Sequence, residues 1–399
     1  MLKKIFKIVT DPFSNKRELN YLKYPALFIF WIINKIVFVI FKIFKLKLLN
    51  SPYESFGHQV FDLEYFFDLK KRYKFNYRPI ILANGKYIAN KVLLKYQKKK
   101  YDFIEVNNKF LCLILFYQRN YLNVSFDTNP CCATRDAALC YDLLSKNDLS
   151  IKLDEEDILK AKKILRDKNF KIHNKLVILH VRDNSLKPFD GETYRNSKIQ
   201  NFELAINYLI KNNYQIIRIG NQGMDKNPFG SKVLDLSGFK FNEDIQLLHL
   251  YLSSICNFFI GTCSGAYKFA VIFKKPLLTV DMAPMSIAFP VAQEAIGIPK
   301  LYRYTKTKKI IKFEDLFISN LAHLRLDDEL KSFNLELIDT SPEDILEGVK
   351  EIEEYANSKK YEVTNLQKKF KNLFDKKCYA YYAQSNIANS FIEKYRELL

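Results

Sequence analysis

Three stretches in the second half of this 399-residue chain bring together side chains that could grip an anion. His180, Val181, Arg182 and Asp183 abruptly end an Ile-Leu-Val run, and a polar loop with Asp190, Glu192, Tyr194, Arg195 and Asn196 follows. Arg218 stands inside a second apolar run, immediately before Gly220. A lone arginine there is costly to bury unless it meets an anion. The third stretch is Gly261, Thr262, Cys263, Ser264 and Gly265. Its small residues let a ligand approach the backbone, its hydroxyls can cap a helix, and a helix start offers N–H donors with a favourable dipole. Each stretch also has a plain structural reading: a solvated loop around a satisfied histidine, an edge-exposed arginine, an ordinary strand-to-helix turn. Arginines from two strand ends converging on a phosphate-ready turn point instead to a diphosphate.

The elements that must position these groups follow from hydrophobic periodicity. Strands are predicted over 175–181, 214–219, 232–236, 257–260 and 276–280, with helices over 202–212, 244–254 and 265–273. Alternation at these lengths implies α/β architecture with a parallel, doubly wound sheet, in which ligands gather outside the carboxyl ends of the strands. A charged helix over 152–168 opens this part of the chain. Upstream, strands are expected near 47–53 and 78–83, helices over 60–69 and 91–101, and an ambiguous apolar segment at 110–117. Ser341, Pro342 and Glu343 read as the start of a helix reaching about Tyr355, followed by a helical, basic end. The expected division is 1–49 as an amphipathic segment and 50–150 as an acceptor-side Rossmann-like domain. The nucleotide-sugar domain spans 151–340, and 341–399 forms helices returning across the cleft.

Net charge is +19, and residues 1–50 carry nine Lys and Arg17 against Asp11 and Glu18, a net +8. These residues also hold ten aromatics, including Trp31. Basic charge interleaved with apolar side chains suits an anionic membrane surface better than a nucleic-acid groove. The apolar runs between Ala26 and Phe41 are too short for a simple span. As a helix they place Tyr24, Trp31, Lys35 and Lys42 on one stripe, which suits a helix lying in the interface. A peripheral or monotopic protein at the cytoplasmic face of the inner membrane is expected. Seven cysteines without a C-x-x-C pair signal neither a disulfide framework nor a zinc site. Cys131 and Cys132 read, like the rest, as small buried hydrophobes.

The run from His180 to Asp183, then Tyr194 to Asn196, Arg218 to Gly220 and Gly261 to Gly265, resembles a bacterial glycosyltransferase family of surface-polysaccharide synthesis. It is also distantly similar to the protein-O- and α1,6-fucosyltransferases. The resemblance covers residues 170–285, and upstream only Gly57 and His58, which look like the glycine-rich acceptor-side loop of GT-B enzymes. It implies a GT-B fold with a nucleotide-sugar donor in the second domain, and with Arg182 and the turn from Thr262 to Gly265 near the diphosphate. The fucosyltransferase pattern carries a second arginine where this chain has Asp183, so the donor need not be GDP-fucose. No Asp-x-Asp motif occurs, in line with metal-independent GT-B transfer; inversion is the expected stereochemistry, with retention left open.

Such transfer needs stabilisation of the leaving diphosphate and a base for the acceptor hydroxyl of a glycan or lipid-linked acceptor. Arg182 and Arg218 suit the first role, Asp183 and His58 the second. No cofactor and no nucleic-acid partner are expected. The rival readings are another nucleotide-dependent Rossmann enzyme, although no G-x-G-x-x-G follows a predicted strand, and a basic membrane or nucleic-acid binding protein.

Overall fold

The computed structural model describes residues 20–49, 53–118, 125–126, 137–185 and 191–399. Cys131, Cys132 and Asp190 lie outside them. The chain divides into two compact units, Met1–Thr134 and Arg135–Leu399.

The first unit is a parallel α/β layer. In order it comprises α1 (Asn20–Ile43), β1 (Leu46–Leu49), α2 (Phe56–Tyr73), β2 (Arg78–Leu82), α3 (Lys91–Lys100), β3 (Ile104–Val106), α4 (Lys109–Gln118) and β4 (Ser125–Phe126). The four strands run in the order β3-β2-β1-β4, and every pair is parallel. Period-two alternation divides their apolar side chains between two cores. Leu48, Ile80 and Leu82 join Phe41, Cys112 and Leu115, whereas Leu49, Ile81 and Ala83 join Leu63, Phe66 and Leu94. Among the described residues no helix is long and apolar enough to cross a membrane.

The second unit contains α5 (Ala137–Lys146), α6 (Glu155–Asp167), β5 (Leu176–His180), α7 (Glu203–Lys211), β6 (Gln215–Arg218), β7 (Val233–Asp235), α8 (Glu243–Ile255), β8 (Phe258–Thr262), α9 (Lys268–Ile272) and β9 (Leu277–Met282). It continues through β10 (Ala295–Pro299), β11 (Leu301–Tyr304), α10 (Phe313–Ile318), α11 (Asp327–Ser332), β12 (Leu335–Ile338) and α12 (Pro342–Ser358). The chain finishes with α13 (Asn365–Lys371), α14 (Tyr379–Tyr382), β13 (Asn386–Ile387) and α15 (Asn389–Lys394). Its main sheet has the order β13-β10-β9-β8-β5-β6-β7 with all pairs parallel. From β5 the chain winds outward through β6 and β7, then returns to the other side of β5 with β8, β9 and β10. This is the doubly wound order of a dinucleotide-binding sheet, whose topological switch point falls between β5 and β8.

The α/β class, the parallel sheets, the N-terminal helix and the C-terminal helices are as the sequence leads one to expect, and several local expectations change. The two compact units divide after Thr134, where the sequence led one to expect a boundary after Ser150, because α5 belongs to the second unit. Its Tyr141 ring stacks on Tyr379 at 5.5 Å, and the Ser145 carbonyl accepts a bond from Gln384 at 2.8 Å. Residues 341–399 also lie in the second unit. There α12 packs on α7 and across β8, β9 and β10. Gly348 permits that approach, since a Cβ would sit 2.7 Å from Ile298 Cδ1. Ser341 caps α12 as expected, its Oγ accepting from Asp344 N at 3.2 Å. Gly57 and His58 are not in a loop: α2 starts at Phe56, so both occupy its first turn. The ambiguous apolar segment is the helix α4. The helix expected over 265–273 is a 3-10 turn (Gly265–Tyr267) followed by the five residues of α9. The five described cysteines, including Cys112, Cys256 and Cys378, are buried and unbridged.

Candidate functional site

The switch point is where the predicted groups meet. β5 and β8 pair through Val177↔Phe258 and His180↔Gly261, so the residues after each strand end side by side. Arg182 N donates to Thr262 Oγ1 at 2.8 Å, so the threonine side chain ties the end of β8 to the loop after β5. His180 Nδ1 lies 3.2 Å from Ser264 Oγ, which also accepts from Ala266 N at 3.2 Å and so caps the 3-10 turn. One turn amide is therefore already satisfied, and with only a short helix behind it the dipole contribution is small. Gly261 is needed for packing: a Cβ would sit 3.1 Å from the Phe259 ring. Gly265 opens the turn.

Arg182 is partly exposed. Its Nε donates to Asn196 Oδ1 at 3.1 Å. Asn196 is itself held, because its backbone oxygen accepts from Lys300 Nζ at 2.7 Å, and Lys300 donates equally closely to Asp339 Oδ1. The chain Asp339, Lys300, Asn196, Arg182 thus fixes where the guanidinium stands. Fixed donors cost no reorganisation when charge develops nearby. Arg195 has a different task. Its Nε and Nη2 donate to the Cys263 carbonyl at 3.2 and 3.1 Å while Nη1 pairs with Glu192, so it straps the turn after β8. Buried Tyr194 is anchored through its N–H to Asp327 Oδ1 at 3.1 Å, and Thr193 bonds the same carboxylate.

Two expected roles are corrected. Arg218 is 1% exposed and is not available to a ligand. Its Nη1 donates to Asp235 Oδ2 at 3.0 Å and to the Asp225 carbonyl at 2.6 Å, because Asp235 is its register partner on β7. Asp183 clasps loops instead of standing ready as a base. One oxygen accepts from Ser185 N at 2.9 Å and the other from Asp225 N at 2.7 Å. Gly220 allows the following loop to fold close, since a Cβ there would meet Met224 Sδ at 2.2 Å.

Burial, reinforced by Arg218, pushes His180 down to about 4, so it is neutral near pH 7. His249, buried on α8 beside the rings of Phe241 and Phe269, is pushed down to about 3 by burial and then by His180.

Beside the switch point a crevice of about 750 Å³ opens at the carboxyl ends of the strands. Leu330, Leu335 and Leu337 give it apolar surface, and Lys198, Lys300 and Lys331 share its charged surface with Asp183, Asp225, Asp327 and Asp339. Asn196 also lines it. Its size is that of a small-molecule site. Sequence reasoning missed Lys300, Asp339 and the buried Asp281. Asp281, the penultimate residue of β9, accepts from Thr340 N at 2.7 Å through Oδ1, and burial raises its carboxyl pKa against the opposing influence of Lys300. The signal was available, since each of these charges ends an apolar run just as Arg182 does. Among the described residues no cluster of three or more His, Cys, Asp or Glu could hold a metal ion.

In the first unit, His58 Nδ1 and Asp62 Oδ2 are 3.0 Å apart, one helical turn apart on α2. Asp62 is fully buried, and the His58 side chain is 15% exposed. The neighbouring Gln59 exchanges two bonds with the backbone of Asn90, at 2.7 and 2.9 Å, which locks this turn of α2 against the start of α3.

No protein-family model and no curated protein matches the chain. Among solved structures it is similar to the ADP-heptose LPS heptosyltransferase II of E. coli, at 12% identity and TM-score 0.44, covering 78% of this chain and 99% of that one. It is similar to a glycosyl transferase family 9 protein from Veillonella parvula, at 12% identity and TM-score 0.43, covering 77% and 96%. A UDP-GlcNAc 2-epimerase from Methanocaldococcus jannaschii follows at 11% identity and TM-score 0.30, covering 75% and 79%. Likeness at this level carries no inference about activity, which has to come from the site.

Proposed function

We propose that this chain is a GT-B glycosyltransferase that moves a sugar from a nucleoside-diphosphate donor to a glycan or lipid-linked acceptor in surface-polysaccharide synthesis. The observation that carries the reading is the switch point. There a doubly wound sheet sets Arg182, oriented through Asn196, next to residues Asp183 and Asn196 of a crevice that also carries three leucines and exposed Lys198. A nucleoside diphosphate suits that combination, its base and ribose lying along the leucines and its phosphates toward Lys198 and Arg182.

Transfer breaks the bond between the anomeric carbon and the diphosphate oxygen, and the electron pair leaves with the diphosphate. Arg182 and Lys198 stabilise that growing negative charge without a metal ion in this reading. The acceptor oxygen forms the new bond at the anomeric carbon and its proton passes to a base, with inversion in a single displacement. His58 fits that role because the bond from Nδ1 to buried Asp62 sets Nε2 as the basic nitrogen. His58→Ala is expected to lower turnover by roughly 10²–10⁴ while leaving nucleotide affinity unchanged.

Thermal melts with a panel of nucleoside diphosphates test the reading. One of them is expected to stabilise the protein by about 2.7 kcal/mol at a hundredfold excess over its Kd. A panel in which none stabilises it overturns the proposal.

A further inference from the structure

The first unit carries a surface that the proposed reaction does not use. On α1, Phe28, Ile32, Ile36, Val39 and Ile43 are spaced by four, four, three and four residues. At 100° per residue they fall within an arc of about 80°. Every one of them is between 39% and 67% exposed. The opposite side of the helix is the one the fold uses: Phe41 is buried in the core with Leu48 and Ile80, and Val37 packs against it. The helix is thus attached through Val37 and Phe41 near its C-terminal end and presents an apolar stripe on the other face, about 22 Å long at 1.5 Å per residue. Soluble monomers rarely leave so continuous an apolar surface uncovered.

The edge of the stripe says what covers it. Trp31, Lys35 and Lys42 lie along one border, with Lys35 Nζ 5.5 Å from the Trp31 ring centroid. An aromatic ring and lysine tips beside an apolar face is the arrangement of a helix lying in a bilayer interface, with its cations among the headgroups. Residues 1–50 contribute a net +8, which selects an anionic surface. Because Phe41 ties the opposite face to the core, α1 can meet a membrane only side-on. We infer that α1 seats this protein on an anionic lipid surface, lying in the plane of the interface with the stripe from Phe28 to Ile43 facing the acyl chains. This inference is independent of the proposed transferase activity, since it is read without any substrate.

Trp31 is the chain's single tryptophan, so its emission reports on this helix alone. The full chain is mixed with phosphatidylcholine vesicles with and without phosphatidylglycerol, and Trp31 emission and co-sedimentation are followed. The expected result is a blue shift and pelleting with the anionic vesicles, and much weaker binding to the neutral ones. Lys35→Ala with Lys42→Ala is expected to weaken anionic binding on the order of tenfold. Ile32→Glu with Ile36→Glu is expected to abolish it, with melts unchanged because both side chains are exposed. Wild-type protein that stays in solution with unshifted Trp31 emission overturns the inference. If in addition sedimentation shows a wild-type dimer that Ile32→Glu with Ile36→Glu converts to monomer, the stripe belongs to a second copy of the chain.

Discussion

Arg182 and Arg218 come from adjacent parallel strands of one sheet, and the two side chains have opposite fates. β5 and β6 pair through Leu179↔Arg218, so Arg218 is still inside the ladder while Arg182 lies three residues beyond that level. Inside the ladder a charge is enclosed by neighbouring strands, and its partner is the residue in register, here Asp235 at 3.0 Å. Beyond it, Arg182 is partly exposed and oriented by the Asn196 amide. Ending an apolar run with arginine therefore does not by itself make a ligand site. The ladder has to have stopped first.

The largest expected effect tests the buried member of the pair. Arg218→Met strands the Asp235 carboxylate and the Asp225 carbonyl, and is expected to cost about 3 kcal/mol of stability in urea unfolding. Adding Asp235→Leu should recover most of that loss. If Arg218→Met instead keeps wild-type stability and loses nucleotide binding, Arg218 belongs to the site and the contrast fails.

His180 stands between the two arginines, and both lower its proton affinity. Its folded value of about 4 lies below the ordinary histidine value of about 6.5, so the unfolded chain binds the proton first as pH falls. Stability from this group is complete above about pH 6.5 and is lost between there and pH 4, with a limiting slope of about 1.4 kcal/mol per pH unit. Buried His249 adds a loss of the same sign over a range reaching about 3. His180→Gln is expected to flatten the acid limb measured by melts across pH. An unchanged limb would show that His180 is not held neutral.

The smallest effect is expected at the turn. Ser264→Ala removes the cap on Ala266 N and the contact to His180, at a cost of roughly 1 kcal/mol in stability. Turnover should fall less than in Arg182→Ala, because the backbone donors of the turn remain. A loss of turnover as large as that of Arg182→Ala would put the diphosphate on the Ser264 hydroxyl.

The parallel sheet of the second unit was legible because β5, β6, β8 and β9 are continuous apolar runs separated by helices of ordinary length. The junction of His180, Arg182 and Ser264 was legible for the same reason, since strand ends in a parallel sheet share one edge. What the sequence hid was decided by long-range partners. The pairing of Arg218 with Asp235 depends on register, and the clasp of Asp183 on Asp225 N joins residues far apart in the chain. Lys300 and Asp339 are visible only once β10, β11 and β12 are placed, in a stretch where short strands and helices leave little periodicity. From sequence alone, His58 reads as part of a loop. Its partner Asp62 emerges only when the loop is recognised as the first turn of α2, which sets the two side chains four residues apart on one face.

In the proposed reaction Arg182, at the switch point, stabilises the leaving diphosphate. The most direct test is the transfer rate of Arg182→Ala with the donor identified by the diphosphate panel, alongside its nucleotide affinity and thermal melt. Losing one charge-assisted bond is expected to cost about 1.5–3 kcal/mol in the transition state, on the order of tenfold to more than a hundredfold in turnover. Affinity should fall less than turnover and the melt should stay near wild type, because the charge grows only as the bond breaks. Arg182→Lys should recover little, since a point charge does not reproduce the planar fork. Wild-type turnover in a folded Arg182→Ala protein would contradict the claim and place the diphosphate elsewhere.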